Sequence, residues 1–352
     1  LKSLAANLAE TGKRLWQDSL AEYLIHEKDP GAALIYLKYW ALNCSRIVLF
    51  GVEAPLRLGP AGAVRMLVHN PWIFTLLKVN RLMRRYGRGR TGPYLESVCL
   101  ALNSIVRGNV DMLRQMFYRP ERLVISEDLV PIDIVHAMGL GAYHIEGIGI
   151  MLPILDSEAC LQYIDEAENG GMNPDACSLP KTTVGMVIRG HLPKGVAIVS
   201  SNLPCDAGAA SYSFIERAYG LPTYRLDVPY NFHGERAENL FMEDVKGMIA
   251  WLEERTPGRM DWDRFREICG NRNRILELEL ELWDMLRVRP APLASEAVWL
   301  SHLWNVNVTP DYRESVSHFE KIVSLARKNL EDGLPATRNE RYRTLVWNPP
   351  FL

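Results

Sequence analysis

Residues Gly195–Tyr230 read GVAIVSSNLPCDAGAASYSFIERAYGLPTYRLDVPY, and this stretch decides the fold. Val196–Val199 is an apolar run bounded by Gly195 and by Ser200-Ser201-Asn202, the pattern of a short buried strand. A helical pattern runs from Ala207 to Tyr219 and stops at Gly220-Leu221-Pro222, and Thr223–Val228 reads as a second strand. Strand, helix and strand over this length make a βαβ crossover, so the two strands are expected to lie parallel in one sheet. Cys205 then falls just past the carboxyl end of the first strand, where open α/β sheets place their ligands. The free amides at a helix N-terminus favour negative charge, and the thiolate is the form of cysteine that binds metal or attacks substrate. Cys177, in NPDACSLPKTTVGMVIRG, occupies a similar position ahead of a helix expected to start near Pro180. The two cysteines stand 28 positions apart (205 − 177) and are able to face one crevice. Their spacing is no CxxC and matches no zinc signature, so by spacing alone both read better as small buried apolar residues.

The bulk properties narrow the function classes. With 352 residues, the chain has length for two domains, or for one large domain with an appendage. Forty Lys and Arg against 42 Asp and Glu leave a net charge of −2, so the charge balance calls for neither nucleic acid nor a membrane surface. No apolar run is expected to span a bilayer, and the N-terminus lacks a signal-peptide layout. Six scattered cysteines form no disulfide framework, which makes a reducing cytoplasm the expected location.

Outward from the central stretch, residues 1–120 read as a helical extension with breaks at Asp29-Pro30-Gly31, Gly59-Pro60 and Gly92-Pro93. Cys44 and Cys99 sit among apolar neighbours there and read as packing. The run Arg81–Arg90 reads as a solvated helix end, with binding of a phosphorylated ligand as the alternative. Residues 121–235 form the first α/β domain: Leu123–Ser126 a strand, Pro131–Met138 a short helix, Gly141–Ile145 another strand. Glu146 follows at the carboxyl edge of that strand, ahead of an expected flexible Gly147-Ile148-Gly149, and reads either as a general base or as a surface charge. His136 and His144 read as structural. Residues 236–338 are expected to be helical, over Arg236–Glu254, Trp262–Arg287 with a break near Gly270, Pro292–Trp304 and Tyr312–Asp332. Arg343–Trp347 has a strand pattern, so residues 339–352 are expected to begin a further α/β domain in a truncated chain.

Several motifs stand in a family order: VPIDIVHAMGLGAYHIEG, NPDACSLPKTTVG, SSNLPCDAG with YGLPTYRLDVPYNF, then FREICGNRNRILELELELWDMLRVRPAPL and RTLVWNPPFL. From about Arg122 to Leu352 the chain resembles the D-component subunits, alpha type, of the 2-hydroxyacyl-CoA dehydratase and benzoyl-CoA reductase family. The resemblance implies a flavodoxin-like parallel-sheet domain holding a [4Fe–4S] cluster through three cysteines. Cys177 and Cys205 match the first two, and the third is expected beyond Leu352. This moves the weight for the pair from packing to ligation, and such a cluster keeps one iron open to an exogenous ligand. The implied activity is radical elimination of water from a 2-hydroxyacyl-CoA through a ketyl, started by an electron from an ATP-dependent iron–sulfur activator, in a heterodimer with a homologous second subunit. Glu146 matches the acidic residue beside the substrate. Where active dehydratase subunits carry a serine, this chain has Asp128, with Ser126 two places earlier and Asp133 beyond the proline. An aspartate repels a ketyl anion unless protonated, which leaves room for an acyl-CoA reductase or an electron-relay subunit. A double-cubane cluster reducing small molecules is a further alternative.

Overall fold

The computed structural model describes residues 27–76, 78–87, 90–203, 205–337 and 339–344. The helix expected within the first 26 residues lies outside these, as does Leu345–Trp347 of the expected last strand, while Arg343 and Thr344 form no regular element. In chain order the helical start comprises α1 (Pro30–His69), α2 (Ile73–Leu76), α3 (Val79–Gly87) and α4 (Gly92–Tyr118). Then come β1 (Leu123–Ser126), α5 (Ile132–Ala137), β2 (Gly141–His144), α6 (Ile145–Leu155), α7 (Leu161–Asn169), α8 (Ser178–Ile188), β3 (Ala197–Ser201), α9 (Asp206–Tyr219) and β4 (Thr223–Leu226). The chain continues through α10 (Glu235–Arg255), α11 (Trp262–Leu286), α12 (Ser295–Asn307) and α13 (Tyr312–Glu331). These divide into two compact units, one of Leu1–Val68, Ile73–Val110 and Gly270–Leu352, the other of His69–Trp72 and Asp111–Cys269.

The first unit is helical among its described residues. Gly59-Pro60 bends α1 rather than ending it: Gly59 takes φ 70°, a conformation open to glycine, and the helix resumes at Pro60. Because the two expected segments merge, Pro30–His69 is long and apolar enough to cross a membrane by length and composition, contrary to the sequence expectation, and 11% of its most apolar window is buried. One face is tied down by polar contacts, since Asn43 donates to the Asn80 Oδ1 at 2.9 Å and accepts from Asn103 Nδ2 at 2.8 Å. Deeper in this unit His318 is fully surrounded, and burial, with Arg107 adding, lowers its imidazole to about 3. The Ser301 hydroxyl donates to the Ala297 carbonyl, so His318 Nε2 is the donor in the 2.9 Å bond to Ser301 Oγ.

The second unit holds one parallel sheet in the order β2-β1-β3-β4. Ser126 pairs with His144 on one side and Val199 on the other, and Val199 with Tyr224 beyond. This order belongs to the flavodoxin-like doubly wound fold, and its direction of winding reverses between β1 and β3. β1 and β3 are buried along their whole length, which explains why both read as unbroken apolar runs rather than alternating ones. Val124, Ala142, Ala197 and Val199 face a core built with Ile132, Val135, Met248 and Leu252 of α5 and α10. Helix α9 packs on β3, and α8 packs beside α9. Gly220, at φ 61°, closes α9 in the left-handed region and turns the chain into β4.

The reading of Gly147-Ile148-Gly149 as a flexible loop is corrected: these residues lie inside α6, which starts directly where β2 ends. The glycines serve close packing, because a Cβ on Gly149 would stand 3.2 Å from the Leu179 carbonyl of α8. The tightest approach is at Gly185 of α8, where a Cβ would fall 1.9 Å from the Tyr163 carbonyl oxygen of α7. No side-chain adjustment relieves a clash with backbone. Gly185→Ala is therefore expected to lower stability by about 1–3 kcal/mol, read as a lower urea midpoint by circular dichroism, whereas Gly270→Ala, exposed inside a helix with open space around it, is expected to raise stability by about 0.5–1 kcal/mol.

Candidate functional site

Parallel strands present their carboxyl ends on one edge of the sheet, and each following helix starts there. Ser126, His144, Ser201 and Leu226 are the last residues of the four strands, so the segments after them share that edge. Three of the four residues singled out from sequence belong to it directly: Asp128 after β1, Glu146 in the first turn after β2, Cys205 after β3. Cys177 precedes α8, which leads back to β3 and so starts from the same edge.

Both cysteines occupy N-cap positions of helices that pack against each other, and both are exposed. They are not the buried packing residues that spacing alone favoured. Cys205 Sγ accepts a hydrogen bond from the Gly208 amide at 3.4 Å, the geometry of an N-cap acceptor. The segments carrying the two thiols are each held. Lys181, buried in the first turn of α8, donates to Glu168 Oε1 of α7 and to the Pro174 carbonyl, both at 2.7 Å, which secures the approach to Cys177. Ser201 Oγ accepts from the Leu203 amide at 3.1 Å and donates to the Leu203 carbonyl at 2.9 Å. Asn202 Nδ2 donates to Asp227 Oδ1 at 2.6 Å and to the Val228 carbonyl at 3.0 Å. Among the described residues no group of three His, Cys, Asp or Glu gathers as a metal-ligand cluster.

Glu146 is half-buried, and its Oε2 is hydrogen-bonded to the Tyr212 phenol of α9. The same phenol lies 3.1 Å from the Ser126 carbonyl. One phenolic proton serves one acceptor well. With Glu146 neutral, its own O–H donates to Tyr212 and Tyr212 donates to Ser126, and each group is satisfied. The electrostatics agree: burial pushes the Glu146 carboxyl up from 4.5 to about 8, with Asp128 and Glu127 adding and the Tyr212 bond opposing. Burial and the neighbouring carboxylates thus favour the protonated form of Glu146 at neutral pH.

Glu127 does not stand out in the sequence. It is 2% exposed, and burial raises its carboxyl as well, with Asp128 adding to the rise and the bonds from Ser201 opposing it. Its Oε2 accepts from the Ser201 amide at the end of β3, and its carbonyl accepts from His144 Nδ1 at 3.0 Å. Only its place directly after a buried strand, beside Asp128, hinted at it. Tyr212 was likewise just one more apolar position of a helix. The histidines play supporting parts, and Arg90 of the basic run lies over the Tyr94 ring at 4.9 Å.

Residues 120–352 match the family described as 2-hydroxyglutaryl-CoA dehydratase, D-component. The chain belongs to this family. It is similar to the alpha subunit of (R)-2-hydroxyglutaryl-CoA dehydratase from Acidaminococcus fermentans, with 26% identity over 163 residues, covering 45% of this chain and 34% of that protein. It is also similar to a benzoyl-CoA reductase subunit from Thauera aromatica, with 22% identity over 205 residues, covering 53% and 48% respectively. The chain thus spans a third to a half of the length of the relatives it matches.

The raised Glu146 carboxyl has a consequence for stability. The folded chain holds a proton that the unfolded chain releases above about 4.5, so this contribution is complete below that pH and is lost as pH rises through about 8. The urea midpoint of the wild type is expected to fall over this interval. In Glu146→Gln the fall is expected to shrink to the part due to Glu127, as followed by circular dichroism across a pH series.

Proposed function

We propose that the chain is a subunit of an acyl-CoA dehydratase, or of a related acyl-CoA reductase, with an iron–sulfur cluster held in part by Cys177 and Cys205. The observation that carries this reading is the placement of two exposed N-cap thiols and the Glu146 carboxyl along the same edge of the parallel sheet. The donor chemistry fits such a group: soft thiolate ligands suit iron–sulfur clusters, and these two thiols are open to incoming iron. Further ligands are required, and none joins the pair among the described residues. When bound, the cluster would supply low-potential electron transfer and a Lewis-acidic iron.

The chain's own residues have defined tasks in this reading. Glu146, protonated at rest, delivers its proton to the departing 2-hydroxyl group and as a carboxylate accepts the proton that the acyl chain gives up. Tyr212 follows this change by turning its O–H from the Ser126 carbonyl to the Glu146 oxygen, so the carboxylate is met by a donor without backbone movement. Asp128 stands near Glu146 and holds the local potential negative, which favours the protonated resting state. A reductase uses the same acid as proton donor to a reduced acyl group, and the likeness to a subunit from a benzoyl-CoA reductase supports keeping that second reading. A homologous partner subunit, an ATP-dependent activator and a reducing cytoplasm complete the proposal.

Anaerobic reconstitution with iron and sulfide tests it. The wild type is expected to retain both elements and to turn brown, while Cys177→Ser and Cys205→Ser each lose most of the iron and keep the wild-type circular dichroism. A colourless wild type with no retained iron would overturn the cluster, and wild-type iron retention in both variants would overturn the ligand assignment.

A further inference from the structure

We propose that Glu127 is a positioning residue: in its protonated form it latches the loop that presents Cys205 to the carboxyl end of β1. The inference deepens the reading of Cys205 as a ligand and rests on that reading for its role in function, but the latch itself is a property of the metal-free chain.

The winding of the sheet reverses between β1 and β3, and at such a point the connections run off in opposite directions and leave a crevice beyond the strand ends. Something must hold the two strand ends together there, because the ladder has run out. The Glu127 amide makes the last backbone bond of this pair, to the Val199 carbonyl at 3.0 Å. Beyond it the Ser201 amide has no strand carbonyl to meet on the β1 side, and Glu127 Oε2 takes that place. The carboxyl acts as an extra rung built from a side chain. Ser201 is also the root of the turn that leads through Leu203 to Cys205. The rung therefore fixes where the thiol begins its approach to the crevice, while Asn202 fixes the other side of the loop to the segment after β4.

The proton follows from the other oxygen. Glu127 Oε1 is buried and has no hydrogen-bond partner among the described residues. An ionised carboxylate with one oxygen unpaired in such a place is strongly disfavoured, whereas a carboxylic acid with its hydroxyl at Oε1 and its carbonyl oxygen at Oε2 accepts the Ser201 amide and leaves no net charge behind. His144, which donates to the Glu127 carbonyl, and Tyr212, which donates to the Ser126 carbonyl, hold the strand end from which the side chain springs. The same short segment thus supports the acid of the site and the loop of its thiol.

The test reads the two thiols separately in the metal-free chain. Alkylation by iodoacetamide is followed by mass spectrometry, with Cys177 as the internal control. Glu127→Ala is expected to raise the Cys205 rate by about tenfold and to leave the Cys177 rate unchanged, since it strands a buried amide and frees the loop. Glu127→Gln, a neutral side chain of the same shape, is expected to restore the wild-type rate. An unchanged Cys205 rate in Glu127→Ala would overturn the latch, and a Gln variant as fast as the Ala variant would overturn its neutral form. Hydrogen exchange in the wild type is independent of how the variants fold. The Ser201 amide is expected to be as protected as those of Val199 and Ser200, and rapid exchange would overturn the proposal. Should iron fail to bind while Cys205 responds as expected, the latch stands and the cluster assignment falls.

Discussion

The parallel pairing of β1 with β3 is the constraint on which the α/β unit depends. It sets Ser126 beside Val199, residues far apart in the chain, and every connection between them must travel over the sheet and back. Helices α5 to α8 are that connection, and their order is dictated by the need to cover a sheet buried on both faces. Because each strand must be re-entered from the same end, each departure also happens at the same end. The edge that gathers Asp128, Glu146 and Cys205 is a by-product of that rule, as is the return path that places Cys177 there.

What burial does for the sheet it does differently for the carboxyls. The same low-dielectric surroundings that make Leu123–Ser126 and Ala197–Ser201 cohere make charge on Glu127 and Glu146 unfavourable. Among the described residues both carboxyls are hydrogen-bonded to neutral groups rather than to cations, the Ser201 amide and the Tyr212 phenol. Lys181 shows the opposite solution: a buried cation is given Glu168 and a backbone carbonyl, and a loop is pinned in the process.

The strands were legible because an apolar run bounded by glycine and polar residues has few other readings; Leu123–Ser126 and the start at Thr223 agree with the structure to the residue. Helices α10 and α13 were legible through their periodicity, and α11 runs through Gly270 without the expected break, as an exposed glycine without a proline beside it is tolerated. Helix α6 was hidden by Gly147, Gly149 and Pro153, residues of low helical propensity that are retained where neighbouring backbones come close. Helix α7 is short and carries no cap residue that marks its start in the sequence. In the site, the cysteines and Glu146 announce themselves by chemistry next to a strand end, but Glu127 and Tyr212 do not, because their roles come from partners over sixty positions away that only the folded sheet supplies.

The contact at Gly185 constrains motion as well as packing. Two helices that meet backbone to backbone have no cushion of side chains to shear, so α7 and α8 travel as one rod and transmit displacement without absorbing it. Any displacement of the pair must then be taken up outside it, before Leu161 or after Ile188, where Gly190 at φ 65° provides a backbone already set in a glycine conformation. The thiol at the head of α8 thereby moves with α7 as well as with its own helix.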